Sequence, residues 1–169
     1  MVSKDDTMKI VKILSHDEFE VEGDLAVGDV VNCKGIMAIV VSIHQEGSEY
    51  SDYMHRMETE DIKKFLPDLV EGRRIVKCLA LCTTNLDDAF TLPEIGTEVE
   101  KIDKDNLRNI HLKNGELRIP YLVKLLKRSN IDVARNLVLK LIEVIPEEKD
   151  LLEIILAEIE YKRMKGLEL

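Results

Sequence analysis

The chain is poor in aromatic residues. It contains no Trp, three Phe and four Tyr among 169 residues, and aromatic side chains make up 4% of the total. Large ring-to-ring contacts therefore cannot dominate its core, and packing must rest on Ile, Leu and Val. No run of about 18 apolar residues and no signal-peptide pattern is present. We therefore expect a cytoplasmic protein that does not span a membrane.

Basic residues are also in short supply. The chain has 24 Lys and Arg against 33 Asp and Glu, which gives a net charge of −9. Because proteins hold phosphate backbones with clustered Lys and Arg, this balance argues against a general nucleic-acid surface. Glu, Lys and Ile are frequent and Gln45 is the sole glutamine, a composition typical of thermophiles, although as a weak signal.

The motifs of nucleotide and hydrolase chemistry are missing. The sequence has no Gly-x4-Gly-Lys-Ser/Thr loop, no Gly-x-Gly-x-x-Gly turn and no Gly-x-Ser-x-Gly elbow. Its four His do not pair at the spacing of metal ligands. We therefore expect no enzyme, no cofactor and no metal. One alternative stays open, a metal-dependent hydrolase or nuclease that uses acids of residues 45–72, where His55 accompanies Asp52 and Glu58.

The three cysteines do not form a metal or disulfide pattern. Cys78 and Cys82 lie in an apolar run, and Cys33 stands apart from them. Because free cysteine behaves as a small apolar residue, we expect Cys78 and Cys82 to be buried and reduced.

What the sequence does contain is a change of period near its middle. In the first half, apolar and polar residues alternate or β-branched and aliphatic residues follow one another in runs. Residues 119–165 instead carry aliphatic side chains at helical spacing. Short strands with tight turns predict a small barrel, which has no exposed edges because it closes on itself. The five predicted strands are 8–14, 18–22, a segment from Val30, 35–44 and 74–81.

Helices are predicted after the barrel. Pro120 precedes a helix at 121–127, Asn130 caps one at 131–145, and Pro146 starts one at 147–165. A shorter helix is expected at 105–112. The fold we predict is therefore α+β. A small closed β barrel spans residues 1–100, with an acidic insertion at about 45–72, and a region of two to three helices spans residues 101–169.

The order of these parts resembles a known domain. Val27-Gly28-Asp29-Val30-Val31, the strand at 35–44, the insertion, the strand at 74–81 and Leu92-Pro93-Glu94-Ile95-Gly96-Thr97-Glu98-Val99 follow one another as in the HAS barrel. This is the amino-terminal barrel of HerA-type DNA translocases and of ATP synthase catalytic subunits. Residues 106–112 are similar to the segment that leads into the ATPase core of HerA-like proteins.

The resemblance implies a role for the barrel without catalysis. Where that family continues into a phosphate loop, this sequence has the helical spacing of residues 119–165. No catalytic residue is therefore implied. In those families the barrel forms the collar of a ring and docks accessory proteins, so the resemblance implies an accessory or adaptor of such a machine.

The last predicted helix carries a wide aliphatic stripe. A stripe wider than one neighbour can cover is explained either by packing on the barrel or by a second partner. We predict a non-enzymatic interaction or adaptor module that oligomerises or docks on a protein partner. The more specific prediction is that this partner is a ring ATPase of archaeal DNA processing. The partner-binding residues we predict are Leu152, Ile155, Leu156, Ile159 and Met164.

A nucleic-acid-binding barrel is the alternative. Such barrels combine a basic groove with aromatic stacking platforms. Phe19 is the aromatic candidate on the strands, and a basic cluster on the helices comprises Lys124, Lys127, Arg128 and Arg135. A solvated helix face explains the same cluster without a ligand.

Overall fold

Six antiparallel strands close into a barrel. The computed structural model of the chain describes residues 7–46, 73–89 and 91–167. The strands follow the order β1-β2-β5-β4-β3-β6, and β6 returns to β1. Their bounds are β1 Met8–Ile13, β2 Glu18–Glu22, β3 Val30–Cys33, β4 Ile36–Glu46, β5 Arg73–Thr83 and β6 Glu98–Lys101. The predicted closed barrel followed by helices is confirmed.

The sixth strand is not among the five that the sequence predicts. In β6 only Val99 is buried, and its other three residues are exposed. Four residues with one inward side chain give almost no alternation to detect. Yet β6 pairs with both β1 and β3, so it completes the barrel. The acidic insertion, apart from Gln45 and Glu46 at the end of β4, lies outside the described residues.

The barrel interior is filled by small and branched side chains. Phe19 and Val21 of β2 are fully buried, as the alternation of that strand predicts. They belong to a cluster that also contains Ile10, Leu25, Val31, Cys33, Ala38, Val40, Val76, Cys78, Ala80 and Val99. Phe19 is the one aromatic side chain in this cluster among the described residues. The core therefore rests on aliphatic packing, as the low aromatic content predicts.

The central strand pair is buried on both faces. In β4, Ala38 and Val40 belong to the interior cluster, whereas Met37 and Ile39 belong to a second cluster shared with the helices. β5 behaves likewise, with Leu79 on the helix side. Because successive side chains of a strand point to opposite faces, a nearly continuous apolar run predicts cover on both sides. The prediction for 35–44 is confirmed at residues 37–40, whereas Ser42 and His44 near the end of the strand are exposed.

Four helices follow the barrel. Their bounds are α1 Lys104–His111, α2 Leu122–Arg128, α3 Ile131–Val144 and α4 Lys149–Leu167, with a 3-10 turn at Pro146–Glu148 before α4 and a hairpin of β7 Leu112–Lys113 and β8 Glu116–Leu117 after α1. The Asn130 side chain accepts a hydrogen bond from the Asp132 amide at 2.9 Å, which confirms it as a cap. The last helix continues through Gly166 instead of ending there.

Helices α2, α3 and α4 build the second core. Leu125, Leu137 and Leu141 are buried in it, and α4 adds Leu152 and Ile159 with exposures of 0% and 1%. Met37, Ile39, Leu79 and Leu81 of the barrel belong to the same cluster. One part of the aliphatic stripe of α4 is therefore explained by packing within the chain.

The two neighbouring leucines of α4 give a matched test of this packing. Leu152 is fully buried, whereas Leu151 is 45% exposed. Leu152→Ala should lower the free energy of unfolding by about 2–5 kcal/mol because it leaves a cavity. Leu151→Ala should change it by about 0.5 kcal/mol or less. Urea denaturation measures both, and equal losses would contradict the assigned orientation of α4.

Candidate functional site

The outer face of α4 carries large apolar side chains that nothing in the described chain covers. Leu151, Ile154, Tyr161 and Met164 are exposed by 45%, 62%, 64% and 63%. We call these four residues the outer face. At 3.6 residues per turn, Ile154 and Tyr161 lie on the side of α4 opposite Leu152 and Ile159. The helix is therefore apolar on two sides, and only one of them is used inside the chain.

The predicted partner-binding residues divide between these two sides. Leu152 and Ile159 are buried in the chain's own core, and Ile155 and Leu156 are partly buried against it. Met164 alone among the five lies on the outer face. In this fold Leu152 and Ile159 are therefore unavailable to a partner, because they are already buried in the core where α4 packs on α3.

The sequence already contained the signal for the outer face. Leu151, Ile154 and Tyr161 belong to the same apolar stripe of the helix, which is too wide for one neighbouring element to cover. Assigning each residue a helical angle separates 152 and 159 from 154 and 161. What the sequence lacks is which of the two sides the barrel and α3 cover.

A buried carboxylate joins the barrel to the helices. Asp17, in the turn between β1 and β2, is 1% exposed. Its two oxygens accept hydrogen bonds from Arg128 of α2, at 2.8 Å to Oδ2 and 3.0 Å to Oδ1, and Lys124 Nζ lies 3.4 Å from Oδ2. The paired bonds are the bidentate geometry that a guanidinium offers a carboxylate. This clamp fixes α2 against the turn of the β1–β2 hairpin.

A second carboxylate extends the clamp along the barrel wall. Glu18 accepts a hydrogen bond from Arg128 at 2.8 Å and lies 2.6 Å from Lys77 Nζ on the paired strand β5. The Lys77 hydrogen bond, opposed by burial and aided by Arg128, holds the pKa of Glu18 below its ordinary value of 4.5. The network thus connects two barrel strands with one helix.

The pKa of Asp17 reflects two opposing effects. Burial by itself raises the pKa of this carboxyl. The Ser15 hydroxyl, which donates to Oδ1 at 3.1 Å, and the charges of Lys124 and Arg128 outweigh that effect. The pKa of Asp17 therefore lies below its ordinary value of 3.8, and the carboxylate stays ionised.

These ion pairs also decide what the predicted basic cluster can offer to nucleic acid. Lys124 and Arg128 face Asp17, and Arg135 pairs with Glu160 of α4. Only Lys127 of the four is exposed without an ion pair in the described part of the chain. Since phosphate binding needs uncompensated positive charge, this cluster offers little of it.

The aromatic candidate of the nucleic-acid alternative is also out of reach. Phe19 is 0% exposed inside the barrel. A stacking platform must present a ring face to a base, so this side chain serves the core.

The described residues hold one buried polar pair that resembles catalytic machinery. His111 at the end of α1 donates from Nδ1 to the Leu107 carbonyl oxygen at 2.8 Å, and its Nε2 accepts from the Tyr121 hydroxyl. Burial lowers the pKa of His111 and raises that of Tyr121. Both residues are buried, with exposures of 0% and 3%, so no substrate reaches them. The pair satisfies polar groups within the core.

The cysteines are free and buried, as predicted for Cys78 and Cys82. Burial raises the pKa of Cys33 and Cys82 to about 12 and also raises that of Cys78. These thiols stay protonated, so they are poor nucleophiles and poor metal ligands.

No cluster of His, Cys, Asp or Glu suited to a metal ion occurs among the described residues. Asp52, His55 and Glu58, the loop residues of the metal hypothesis, lie outside the described residues. That hypothesis therefore stays a prediction.

The barrel and the helices enclose a cleft of about 440 Å³. Lys101 and Lys140 lie 3.5 and 3.6 Å from Asp29, and Lys104 pairs with Glu143. Each lysine that lines the cleft thus has a carboxylate beside it. Lys140 Nζ also donates to the Gly28 carbonyl oxygen at 2.8 Å. Lys140 thus links α3 to the barrel, and Lys104 links α1 to α3.

No protein-family model matches this chain, and no curated protein matches it. The resemblance to the HAS barrel therefore stays a prediction. Among the residues that the structure describes, no helix is long and apolar enough to cross a membrane.

The clamp at Asp17 predicts an acid-sensitive contribution to stability. Asp17→Asn should lower the free energy of unfolding at neutral pH by about 1.5–3 kcal/mol, because it weakens charge-assisted hydrogen bonds. The pKa values of Asp17 and Glu18 are lowered by folding from 3.8 and 4.5, so the unfolded chain binds more protons as the medium turns acidic. Their contribution is complete above these values and disappears as pH falls through the folded pKa values.

Urea denaturation at several pH values between neutral and acid tests this expectation. The difference between wild type and Asp17→Asn should shrink as pH falls below about 4. Glu94→Gln, at an exposed carboxylate, is the control and should leave the pH profile unchanged. A constant difference at all pH values would show that Asp17 acts through shape and not through charge.

Proposed function

We propose that this chain is a non-enzymatic interaction or adaptor module that binds a protein partner through the outer face of α4. The observation that carries the proposal is the exposure of Leu151, Ile154, Tyr161 and Met164 on a helix whose other side is already packed. Monomeric proteins seldom leave large apolar side chains aligned on one element, and such faces are commonly interaction sites.

The energetics favour a covered outer face. Burying a Leu, Ile or Met side chain contributes roughly 1.5–3 kcal/mol, and Tyr adds a ring with a polar tip suited to an interface. The side chains of an already formed helix also lose less freedom on binding than those of a flexible segment. A partner with a complementary apolar groove or helix therefore gains from contact here.

The remaining features support binding over chemistry. The buried His111 and Tyr121 satisfy each other, the three cysteines are held protonated, and the lysines of the cleft are compensated. Lys124, Arg128 and Arg135 are committed to ion pairs within the chain, which weighs against the nucleic-acid alternative.

The resemblance to the HAS barrel suggests a finer proposal, in which the partner is a ring ATPase of archaeal DNA processing. Helices already cover the outside of β4 and β5. The barrel wall formed by β1 and β6 lies across the barrel from these strands and is the side left for such docking, with exposed charges at Lys9, Glu98 and Glu100. This docking would use a surface separate from the outer face of α4.

Site-specific photocrosslinking in the host cell tests the proposal. A benzophenone amino acid replaces Ile154 in one variant and Ile95 in a control, because the two isoleucines are 62% and 63% exposed on unrelated elements. We expect protein adducts at position 154 that survive nuclease treatment, and none at position 95. Absence of any protein adduct at 154 would refute an interaction through α4. Adducts lost with nuclease would indicate nucleic acid as the ligand.

A further inference from the structure

We infer that the outer face of α4 pairs with the same face of a second copy of this chain, with the two helices antiparallel. The inference rests on the proposed function, since it names the partner of the same surface. Three features of the exposed side of α4 carry it: the spacing of its apolar residues, the placement of its charges and the small residue at its centre.

The spacing of the apolar residues is the same from either end of α4. Leu151, Ile154, Tyr161 and Met164 are separated by three, seven and three residues. A two-fold axis that reverses the helix therefore brings apolar residues to the same level in both copies. Ile154 meets Tyr161 of the second copy, and Leu151 and Met164 flank that contact. Such self-complementarity is what an isologous interface requires.

The charges at the ends of this face obey the same symmetry. Asp150 precedes Leu151, and Lys165 follows Met164, so each lies one residue outside the apolar set. Both are exposed, and neither has an ion pair within the described residues. Antiparallel pairing places Asp150 opposite Lys165 of the second copy, twice in each dimer. Parallel pairing instead opposes Asp150 to Asp150, so the charges select the antiparallel arrangement.

The centre of the outer face lets the two helices approach closely, but it also brings two like charges together. Ala157 and Glu158 lie midway between Ile154 and Tyr161, and both are exposed. The small Ala157 leaves room for the facing helix, whereas the two Glu158 carboxylates come near each other across the axis. Like charges destabilise such a contact. Glu158→Ala should therefore tighten the dimer.

The size of this contact sets the kind of dimer expected. From Leu151 to Met164 the face is about 20 Å long at 1.5 Å per residue. One helix pair of this length buries less than the roughly 1,200–2,000 Å² of a standard stable interface. We therefore expect a reversible dimer whose population falls on dilution.

A charge-swap series measured by sedimentation equilibrium tests both the partner and the register. Asp150→Lys and Lys165→Asp should each weaken dimerisation by about tenfold, because each change turns two attractive contacts into repulsive ones. The double variant D150K/K165D restores opposite charges only in the antiparallel register, so it should return to within about threefold of wild type. Failure of the double variant to recover would overturn the register proposed.

Apolar substitutions supply the second arm of the series. Ile154→Asp should weaken dimerisation by about 30-fold or more, as truncation of a central contact does. Ile95→Asp, at a matched exposure outside α4, should leave it unchanged. Circular dichroism checks that each variant keeps its fold. A chain that stays monomeric at every concentration, or a dimer indifferent to Ile154→Asp, would overturn the inference.

The photocrosslinking result separates this inference from the function on which it rests. Adducts at position 154 with a second copy support both. Adducts only with a different protein leave the interaction module standing and refute self-pairing. No protein adduct at 154 refutes both.

Discussion

The two-sided burial of β4 and β5 is the constraint on which the rest of the structure depends. Ala38, Val40 and Cys78 point into the barrel, while Met37 and Leu79 point outward into the helical cluster. A strand pair with apolar residues on both faces cannot be left open to water on either side. The barrel therefore requires a cover, and α2 and α3 provide it. The helices pack on the barrel because the middle of its central strands, residues 37–40 and 78–82, has no polar face.

Apolar contact alone would leave the orientation of the cover loosely defined, and buried polar contacts fix it. Arg128 binds Asp17 in bidentate geometry at one end, and Lys140 donates to the Gly28 carbonyl oxygen at the other. Hydrogen bonds depend on direction and distance, so a rotated or shifted helix would leave the buried Asp17 without partners, at a high cost. Packing supplies most of the stability, and these clamps select one arrangement.

Local patterns allowed most of the fold to be predicted, because the spacing of apolar residues in a strand or helix is visible along consecutive residues. The alternation at β2, the double-sided run at β4 and the Asn130 cap were all readable in this way. β6 was not, since Val99 is its one buried residue. The site depends on tertiary contacts, so it was harder to predict. Nothing in the sequence says that α3 covers Leu152 and Ile159 and leaves Ile154 and Tyr161 outside.

The position of α4 bears on the proposed docking of the barrel. α4 packs on α3, and both helices share the second core with β4 and β5, so the outer face of α4 is turned away from that core. The wall formed by β1 and β6 lies across the barrel from β4 and β5 in the strand order. Pairing through α4 would therefore leave that wall free in both copies. The proposed dimer would then present two identical barrel walls, and the proposed docking on a multi-subunit partner would gain from the effective concentration of the second wall without any new contact.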